Sequence, residues 1–594
     1  MCYVGYRDMY YPTMATIIYK KKKGREYAYW VRSARVNGKP RIVEQVYLGP
    51  KDRYLEEVKA AYTRNRSPGP TPLKRVTTKE FGATAYLWHW AEELGLREIV
   101  DRHVPAPQAR RRTHLSVGQY VVIAALNRAV DPTSKRALYD DWYKDSVLSR
   151  IWKAKETELS SQRFWDHLDQ VEPEHIERIQ KDVLARLAER FGLGAETILY
   201  DSTNFFTFID TFNERTELAQ RGNNKQKRMD LRQISLALFE DRETSLPLYH
   251  RCYAGNEHDT RAFPVAWEAF MTEWLATVGR TSEQLTLVFD GGNTSQANLQ
   301  RLDSEAVHYV GGVPTSWLPD LLEVELSQYH KLEIADTKHI KVHRVKRELW
   351  NAQRTVLVVF SPTLYRAQRK TMNRQQAKAD GRIRDLAVQI DTWRESRQGK
   401  GFSEHSVRRK IRQWTAREHL RDYLDIQLEL DQDRVLRLSW AWDLERKRTV
   451  QRRHLGKKMI VTDHHGWDDA TIAHTYRRLT RTESLFKISK SDPGIWWPMY
   501  HWTDSKIRVH ALYCFFALLL LAILRLELRA AGIPMRIGRA VQRLAKIQES
   551  VVVYTNGAAD RVLTDMDDTQ QELARALALD HLAEQLGTTV LPNP

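Results

Sequence analysis

Two aspartates each stand directly after a short apolar run that has the composition of a buried strand. Asp201 follows TILY at 197–200, and Asp290 follows LTLVF at 285–289. Binding and catalytic groups collect at strand ends in α/β sheets, although a single aspartate there more often forms a turn or caps a helix. Small polar residues follow both aspartates. Because Mg²⁺ prefers carboxylate, water and phosphate oxygens, the pair predicts a magnesium site.

A third carboxylate is predicted in the segment 473–492, AHTYRRLTRTESLFKISKSD. Tyr476, Glu483, Phe486 and Lys490 recur at steps of seven, three and four residues, which places them along one face of a helix. Three carboxylates can hold two metal ions, one activating a water or 3′-hydroxyl and one stabilising the leaving oxygen. Lys490 is then placed to contact a backbone phosphate. Considered alone, the segment would be an ordinary exposed helix, so the prediction for Glu483 depends on the two aspartates.

The order Asp201, Asp290, Glu483 resembles that of the DDE insertion-sequence transposases, in the branch with a Tyr-Arg-Glu-Lys signature around the last acid. In that signature Tyr and Lys stand seven residues before and after the Glu, as Tyr476 and Lys490 do here. The signature Arg is replaced by Leu479. The resemblance therefore implies that Arg478 or Arg481 takes over its phosphate contact.

The resemblance extends over roughly residues 198–521. LYDSTNFF is similar to the family's first-aspartate strand, and RGNNKQKRMDLRQISLAL to the segment after that strand. PLYHRCYAGNEHDTRAF is similar to its Pro-Leu and Gly-Asn-x-x-Asp stretch, and LVFDGGNTSQAN to its second-aspartate motif. HWTDSKIRVHALYCFFALLLL is similar to its helix after the glutamate. A ribonuclease-H-like α/β catalytic core is implied. So are two Mg²⁺ ions held by Asp201, Asp290 and Glu483, with Mn²⁺ able to substitute, and no organic cofactor.

The implied function is transposition. Hydrolysis at each end of an insertion element would expose a 3′-hydroxyl, which then attacks target DNA at the same metal site. The expected partners are double-stranded DNA, as terminal inverted repeats and target, and a second copy of the chain, because two ends are joined in one event. A transposase-derived regulator without catalysis is one alternative, which predicts loss of an acid. A related nuclease that cuts without joining is the other, and it needs the same acids.

The net charge of +18 is concentrated in one stretch, which fits binding to a polyanion. Residues 341–420 contain 20 Lys and Arg against 7 Asp and Glu, or +13, whereas residues 551–594 contain 2 against 7, or −5. The interval from Asp290 to Glu483 is 193 residues, against 89 from Asp201 to Asp290. An inserted DNA-binding subdomain would account for both the basic stretch and the long interval.

Individual DNA contacts are predicted from these patterns. Within the basic stretch, Trp350 and Trp393 are aromatic candidates for stacking on an unpaired base, with core packing as the alternative use. Any single arginine there could also belong to a solvated helix face. The cationic candidates around the insertion and the first aspartate are Lys225, Lys227, Arg228, Arg408, Arg409 and Lys410.

Hydrophobic periodicity and turn residues predict the order of domains. The module 1–70 is β-rich, with strands on either side of an Asn-Gly turn at 37–38. The region 71–193 is helical and is expected to bind DNA, with a helix capped by Ser160 or Ser161 and carrying Arg163 and His167. The remaining predicted parts are a catalytic core at 194–314, a basic insertion of mixed β/α structure at 315–460, the second core part with the Glu helix at 461–530, and a helical tail at 531–594.

Other features exclude several classes of protein. The three cysteines, Cys2, Cys252 and Cys514, have no metal-site or disulfide spacing, which favours a reducing, cytoplasmic compartment, and the resemblance to insertion-sequence transposases implies a bacterial-type cell. The longest uncharged apolar run, 511–524, is shorter than the roughly 20 residues of a membrane span and is expected to be a core helix. Residues 1–13 lack a signal-peptide core, and Met14 is an alternative start. His464 and His465 are assigned no ligand role, and Asp463 is kept as a substitute acid.

Overall fold

The chain folds into a mixed α/β structure with a large mixed sheet. The computed structural model describes residues 14–36, 39–64, 73–194, 196–210, 212–224, 227–279, 281–334, 337–396, 398, 401–430, 436–479, 494–496 and 499–590. Contacts between residues separate two compact units. The smaller unit comprises Met1–Gly82 and Arg543–Pro594, and the larger unit comprises Ala83–Gln542.

Strands and helices are numbered in chain order. The strands are Met14–Lys22 (β1), Arg25–Val36 (β2), Lys39–Pro50 (β3), Leu73–Glu80 (β4), Thr197–Thr207 (β5), Arg232–Asp241 (β6), Pro247–Ala254 (β7), Thr286–Phe289 (β8), His308–Val313 (β9), His330–Ile334 (β10), Thr337–Leu349 (β11), Ala352–Phe360 (β12), Leu424–Leu430 (β13), Leu436–Trp442 (β14), Lys457–Thr462 (β15), Gln548–Tyr554 (β16) and Ala559–Leu563 (β17). The helices are Lys51–Arg64 (α1), Gly82–Glu93 (α2), Leu96–His103 (α3), Val117–Val130 (α4), Leu138–Asp141 (α5), Leu148–Ile151 (α6), Ser161–Leu168 (α7), Pro173–Phe191 (α8), Asp259–Val278 (α9), Gln296–Ser304 (α10), Pro362–Ser396 (α11), Glu404–Trp414 (α12), Leu444–His454 (α13), Asp469–Arg477 (α14), Asp504–Ala530 (α15), Ile537–Leu544 (α16), Asp568–Ala576 (α17) and Leu579–Gln585 (α18).

The smaller unit contains two antiparallel sheets of three strands, β1-β2-β3 and β17-β16-β4. Strands β2 and β3 lie on either side of the predicted Asn-Gly turn at 37–38, which is outside the described residues, and β1, which was not predicted, pairs with β2. The segment 531–594, predicted as a helical tail, includes β16 and β17 as well as helices. The run Val551–Val553 explains the difference, because β-branched side chains favour the pleated, half-buried surface of a strand.

A nine-stranded sheet, in the order β10-β11-β12-β15-β9-β8-β5-β6-β7, forms the centre of the larger unit. Strands β5, β8 and β9 are parallel to one another, and the strands on both sides of them are antiparallel. Parallel neighbours need a long crossover, which α9 and α10 provide before β8 and β9.

The two faces of the sheet pack against different helices. Leu199 and Val288 lie in one hydrophobic cluster with Ile472 and Ala473 of α14. On the other face, Tyr200 of β5 contacts Phe263 of α9, with ring centroids 5.0 Å apart. Successive side chains of a strand point to opposite faces, so β5 and β8 are covered on both sides, as their nearly continuous apolar sequences predict.

Part of the predicted insertion, 315–460, pairs with the central sheet. Strands β10, β11, β12 and β15 extend that sheet beyond β9. The segment that leaves it is 361–456, which contains α11, α12, α13 and the hairpin β13–β14. This segment has its own hydrophobic cluster. The buried members are Ile383, Leu386, Ile390, Val407, Ile411, Leu424 and Leu436.

The helical region before the sheet is held together by apolar packing. Ser160 is the N-cap of α7, and its hydroxyl accepts the main-chain N–H of Arg163. His167 is buried against Tyr120, with ring centroids 4.2 Å apart, and burial lowers its pKa. Helix α15 is long and apolar enough to cross a membrane, but 94% of its most apolar window is buried inside the protein. A core helix passes the same test of length and composition.

Candidate active site

Strands β5 and β8 bring Asp201 and Asp290 side by side. The parallel register pairs Tyr200 with Phe289, so the next residues on each strand are the two aspartates. Neighbouring strands lie about 4.8 Å apart, which sets the separation of the two main chains at this point. Asp290 directly follows the end of β8, whereas Asp201, predicted at a strand end, lies inside β5, which continues to Thr207 because it also pairs with β6.

Both aspartates belong to the face of the sheet that α14 covers. Leu199 and Val288, two residues before them, pack with Ile472 and Ala473 of that helix. Because side chains alternate with a period of two, Asp201 and Asp290 continue the same rows. Helix α14 thus runs over the pair and leads into the segment 480–493, which contains Glu483.

A tight turn holds the second aspartate. The main-chain N–H of Asn293 donates to the carbonyl oxygen of Asp290 at 3.0 Å, closing a four-residue turn through Gly291 and Gly292. The N–H of Gly291 donates to the Asp290 Oδ1 at 2.5 Å. In the same way, the N–H of Ser202 donates to the Asp201 Oδ1 at 2.8 Å. Main-chain donors therefore orient both carboxylates.

Asp201 and Asp290 line one pocket of about 260 Å³. Two cations, Lys458 of β15 and Arg477 of α14, line it as well, beside Tyr476. Neither cation was predicted from the sequence. Lys458 belongs to no recognisable motif. Arg477 and Arg478 are adjacent in sequence, and periodicity alone could not tell which of the two faces the site. An acidic pair with flanking cations can accommodate both metal ions and the phosphate of a nucleic acid.

Tyr476 packs against the turn of the second aspartate. A Cβ atom built on Gly312 of β9 would lie 2.4 Å from the Tyr476 hydroxyl oxygen and 2.8 Å from the main-chain nitrogen of Gly291. Only glycine fits between them. The tyrosine of the predicted signature therefore fixes α14 next to the Asp290 turn, a position close to the predicted chemistry.

Three of the predicted site residues, Glu483, Arg481 and Lys490, lie outside the described residues. Leu479, which replaces the signature Arg, is only 8% exposed and belongs to the cluster that contains Leu199 and Ile340. Packing explains its apolar character. Arg478 is the C-cap of α14, and its Nε and Nη1 atoms are buried.

Asp463 cannot replace the third acid, contrary to the expectation from sequence. It accepts hydrogen bonds from the His308 Nδ1 at 2.6 Å and the Tyr309 N–H at 2.9 Å. Tyr309 precedes Gly312, the residue level with Asp290, by three positions on β9, a distance of about 10 Å along the strand. Asp463 therefore lies at the other end of the short parallel strands, too far to share a metal with Asp290.

The same end of the sheet contains His464, whose Nε2 is 2.8 Å from the Thr286 hydroxyl oxygen. Its ring stacks on Trp467 with centroids 3.7 Å apart, and burial lowers its pKa to about 4. His308, Asp463 and His464 have donor atoms within 4.8 Å of one another, a spacing that could hold a metal ion. His465 instead bonds to the Thr355 hydroxyl, at 3.0 Å from its Nδ1.

The predicted DNA contacts near the first aspartate have different surroundings. Lys225 lies outside the described residues. Lys227 lines a polar pocket of about 620 Å³ with Lys410 and Arg382, so a core lysine and an insertion lysine converge there. Arg228 forms a bidentate ion pair with Asp230, which also lowers the pKa of that aspartate to about 2.

The other residues predicted to contact DNA in the basic region have different environments. Arg408 pairs with Glu404 at 2.7 Å, and Arg409 is exposed on the same helix. Trp350 lies at the tip of the β11–β12 hairpin with a positive φ of 53°, beyond the end of the sheet that carries Asp463. Trp393 packs over Gly401, where a Cβ would be 2.8 Å from its ring.

A solved transposase structure is similar to this chain over most of its length, at low sequence identity. No family model and no curated protein match the chain. A solved chain of a piggyBac transposase synaptic complex with hairpin DNA, determined by cryo-EM, is similar over 88% of this chain and 89% of that chain, at 8% sequence identity and a TM-score of 0.34. An alignment at this level does not identify a shared fold or a shared activity.

Proposed function

We propose that this protein is a DNA transposase of the DDE type, which binds insertion-element ends, cleaves them and joins the 3′-hydroxyl to target DNA. The observation that carries the proposal is the pair Asp201 and Asp290, adjacent in register, on the face covered by α14 and lining one pocket. A ribonuclease-H-like core is part of the proposal.

The donor set fits two Mg²⁺ ions, for which Mn²⁺ would substitute. Asp201 and Asp290 offer oxygen ligands on neighbouring strands, and Glu483 follows α14, which covers the same face. Metal ions bound here would activate the attacking oxygen and stabilise the leaving oxygen of an in-line displacement. The main-chain donors at Ser202 and Gly291 hold the carboxylates in place without adding charge.

The cations around the pair would hold the DNA. Lys458 and Arg477 line the pocket and are placed to contact the phosphate that is cut. Lys227, Lys410 and Arg382 line the larger polar pocket, where a phosphate backbone would find three positive charges beside one carboxylate, Asp385. Tyr476 is proposed to position α14 next to the Asp290 turn and not to take part in the reaction, because its hydroxyl lies against the Gly312 and Gly291 main chain.

No covalent enzyme intermediate is needed. Cys252 is buried and its thiol pKa is raised to about 12 by desolvation, so it offers no thiolate nucleophile near neutral pH. Neither Ser202 nor Tyr476 is assigned that role. Two DNA ends joined in one event require two active sites, so a homodimer on DNA is the proposed working form.

A strand-transfer assay tests the proposal. Duplexes that carry the inverted repeats flanking the gene are incubated with the protein and Mg²⁺, and joined and cleaved products are separated on denaturing gels. Joined product is expected with the wild type and not with Asp201→Asn or Asp290→Asn, while the matched variant Asp463→Asn keeps activity. Cleavage without joining would identify a nuclease, and binding without cleavage would identify a regulator.

A further inference from the structure

One face of the N-terminal sheet, β1 to β3, has exposed side chains at its hairpin end, here called the open face, whereas Val31 further along the same face is buried. Helix α1 covers the other face, where the Lys51 ammonium donates to the Glu26 carboxylate at 2.6 Å and lies 4.9 Å from the Tyr19 ring centroid. The register pairs Lys21 with Glu26 and Tyr19 with Ala28, so these residues share a face. The intervening residues, which begin with Lys20, occupy the opposite face.

Cationic and aromatic side chains make up this open face. The Lys20 ammonium donates to the Gln45 side-chain oxygen at 2.7 Å and lies 5.2 Å from the centroid of the Tyr29 ring. Tyr47, the register partner of Tyr29, is 54% exposed, and the two rings lie 5.3 Å apart. Tyrosine rings with amide and ammonium groups can contact base edges and sugars as well as phosphates.

Positive charge is concentrated at the tip of the β1–β2 hairpin. Five of the six residues in 20–25, KKKKGR, are cationic, and all six are exposed. A two-residue turn at Lys23 and Gly24, both with positive φ, brings Lys22 and Arg25 opposite each other. Residues 14–64 contain 13 Lys and Arg against 5 Asp and Glu, a net charge of +8. This charge is separate from the basic stretch at 341–420.

The shape of the sheet also fits a nucleic-acid groove. Register shifts between Ala28 and Tyr29 and between Arg32 and Ser33 interrupt the β2–β3 pairing, and such bulges increase the right-handed twist of a strand. The major groove of B-DNA, about 12 Å wide, admits a two-stranded β-ribbon, so two of the three strands of this sheet would enter it. A second copy of the chain is a poorer occupant, because two surfaces of the same high positive charge repel each other.

We propose that the open face of the N-terminal sheet is a DNA-binding surface, which enters the major groove of duplex DNA while the β1–β2 tip contacts the phosphates. The inference rests on the proposed function in that DNA is the substrate. It assigns DNA binding to a β module, in addition to the helical region 71–193 expected from sequence.

Fluorescence anisotropy with the full-length protein and a labelled 30-base-pair duplex, in EDTA, tests the surface. The tip variant Lys22→Ala/Arg25→Ala is compared with Arg53→Ala/Lys59→Ala, which removes two charges from α1 on the covered side. We expect the tip variant to bind about 10-fold or more weakly at 0.1 M salt, and its salt slope to fall by about 2, since each phosphate contact contributes roughly 0.9. The α1 variant should stay within about 2-fold of the wild type.

Unchanged affinity of the tip variant, or equal loss in both variants, would overturn the proposal. A third variant, Tyr47→Ser, tests groove insertion, because it should weaken binding while leaving the salt slope unchanged. Circular dichroism checks that each variant is folded. If the tip or Tyr47 substitutions change the sedimenting mass of the protein and leave DNA affinity intact, the surface joins protein chains, and the proposal fails.

Catalysis plays no part in this measurement. A wild type that binds duplex through the tip but yields neither cleaved nor joined DNA would sink the proposed transposase and leave the surface standing. A protein that joins DNA normally, and whose tip variant binds DNA like the wild type, would support the proposed transposase and overturn the proposed DNA-binding surface. The two failures are therefore distinguishable.

Discussion

The two ends of the short parallel strands contain the same kinds of residue in different surroundings. At one end Asp201 and Asp290 are oriented by main-chain N–H groups and line a pocket. At the other, the Asp463 carboxylate is bridged by His308 and the Tyr309 N–H, while His464 stacks on Trp467. The two ends therefore differ in what surrounds the carboxylates: a pocket that also contains cations at one end, and histidine side chains at the other.

The largest expected difference between the ends is catalytic. Asp290→Ala should lower strand transfer by on the order of 10³-fold or more, because one of the three proposed metal ligands is lost. Its melting temperature should change little, since Asp290 is exposed. Asp463→Asn should retain activity within several-fold. Product formed per folded enzyme in Mg²⁺ is the measurement, and comparable losses in the two variants would contradict the distinction between the ends.

Substitutions at the Asp463 end should instead lower the free energy of unfolding. Arg354 is fully buried, donates to the Asp303 carboxylate at 2.6 and 3.1 Å, and lies 5.4 Å from the centroid of the Tyr309 ring. Asp303→Asn leaves a buried guanidinium without its counter-charge, so we expect a loss of about 3–5 kcal/mol in the free energy of unfolding. Urea denaturation measures it. Asp320→Asn, which removes the exposed partner of Arg347, is the matched control and should cost under about 1 kcal/mol.

The sequence predicted the aspartate end better than the other end. Apolar runs before Asp201 and Asp290 are local patterns, and the parallel register of β5 and β8 then places the two aspartates side by side, although β5 continues beyond Asp201 to Thr207. The partners of Asp463 are not local, because His308 precedes it by 155 positions and the contact exists only once β15 pairs with β9. The hydrogen bonds to the Asp463 carboxylate form only when distant strands pair, so the spacing of residues in the sequence could not predict them.

Motif comparison has a similar limit at position 479. The resemblance expects an arginine there, whereas the side chain of Leu479 packs with Leu199 and Val288 beneath α14. Strand β1 was missed for a different reason. Its lysine-rich end, Lys20–Lys22, lacks the apolar alternation that predicts a strand, and pairing with β2 supplies the order.

Restoring the signature arginine at position 479 should therefore destabilise the folded protein. Leu479→Arg buries a charge in a hydrophobic cluster, and we expect it to cost about 2–4 kcal/mol in unfolding free energy without raising strand transfer. Leu479→Met keeps the volume and should cost under about 1.5 kcal/mol. Urea denaturation and the joining assay are run on both variants. A stable, more active Leu479→Arg would show that the position faces DNA.

The smallest effect is expected in the pH dependence of stability at the Asp463 end. Burial lowers the pKa of His464 to about 4, whereas an unfolded histidine titrates near 6.5. The unfolded state therefore binds more protons between these values, so the contribution of His464 to stability is present above pH 6.5 and is lost as the pH falls toward 4. In His464→Gln, which can still bond to Thr286, the melting temperature should drop about 2 °C less than in the wild type between pH 7 and pH 5. Differential scanning calorimetry at both pH values measures this, with His405→Gln, an exposed site on α12, as the control. Parallel curves for wild type and His464→Gln would mean that the ring is hydrated in the folded protein, and that this end of the sheet is less closed than its contacts indicate.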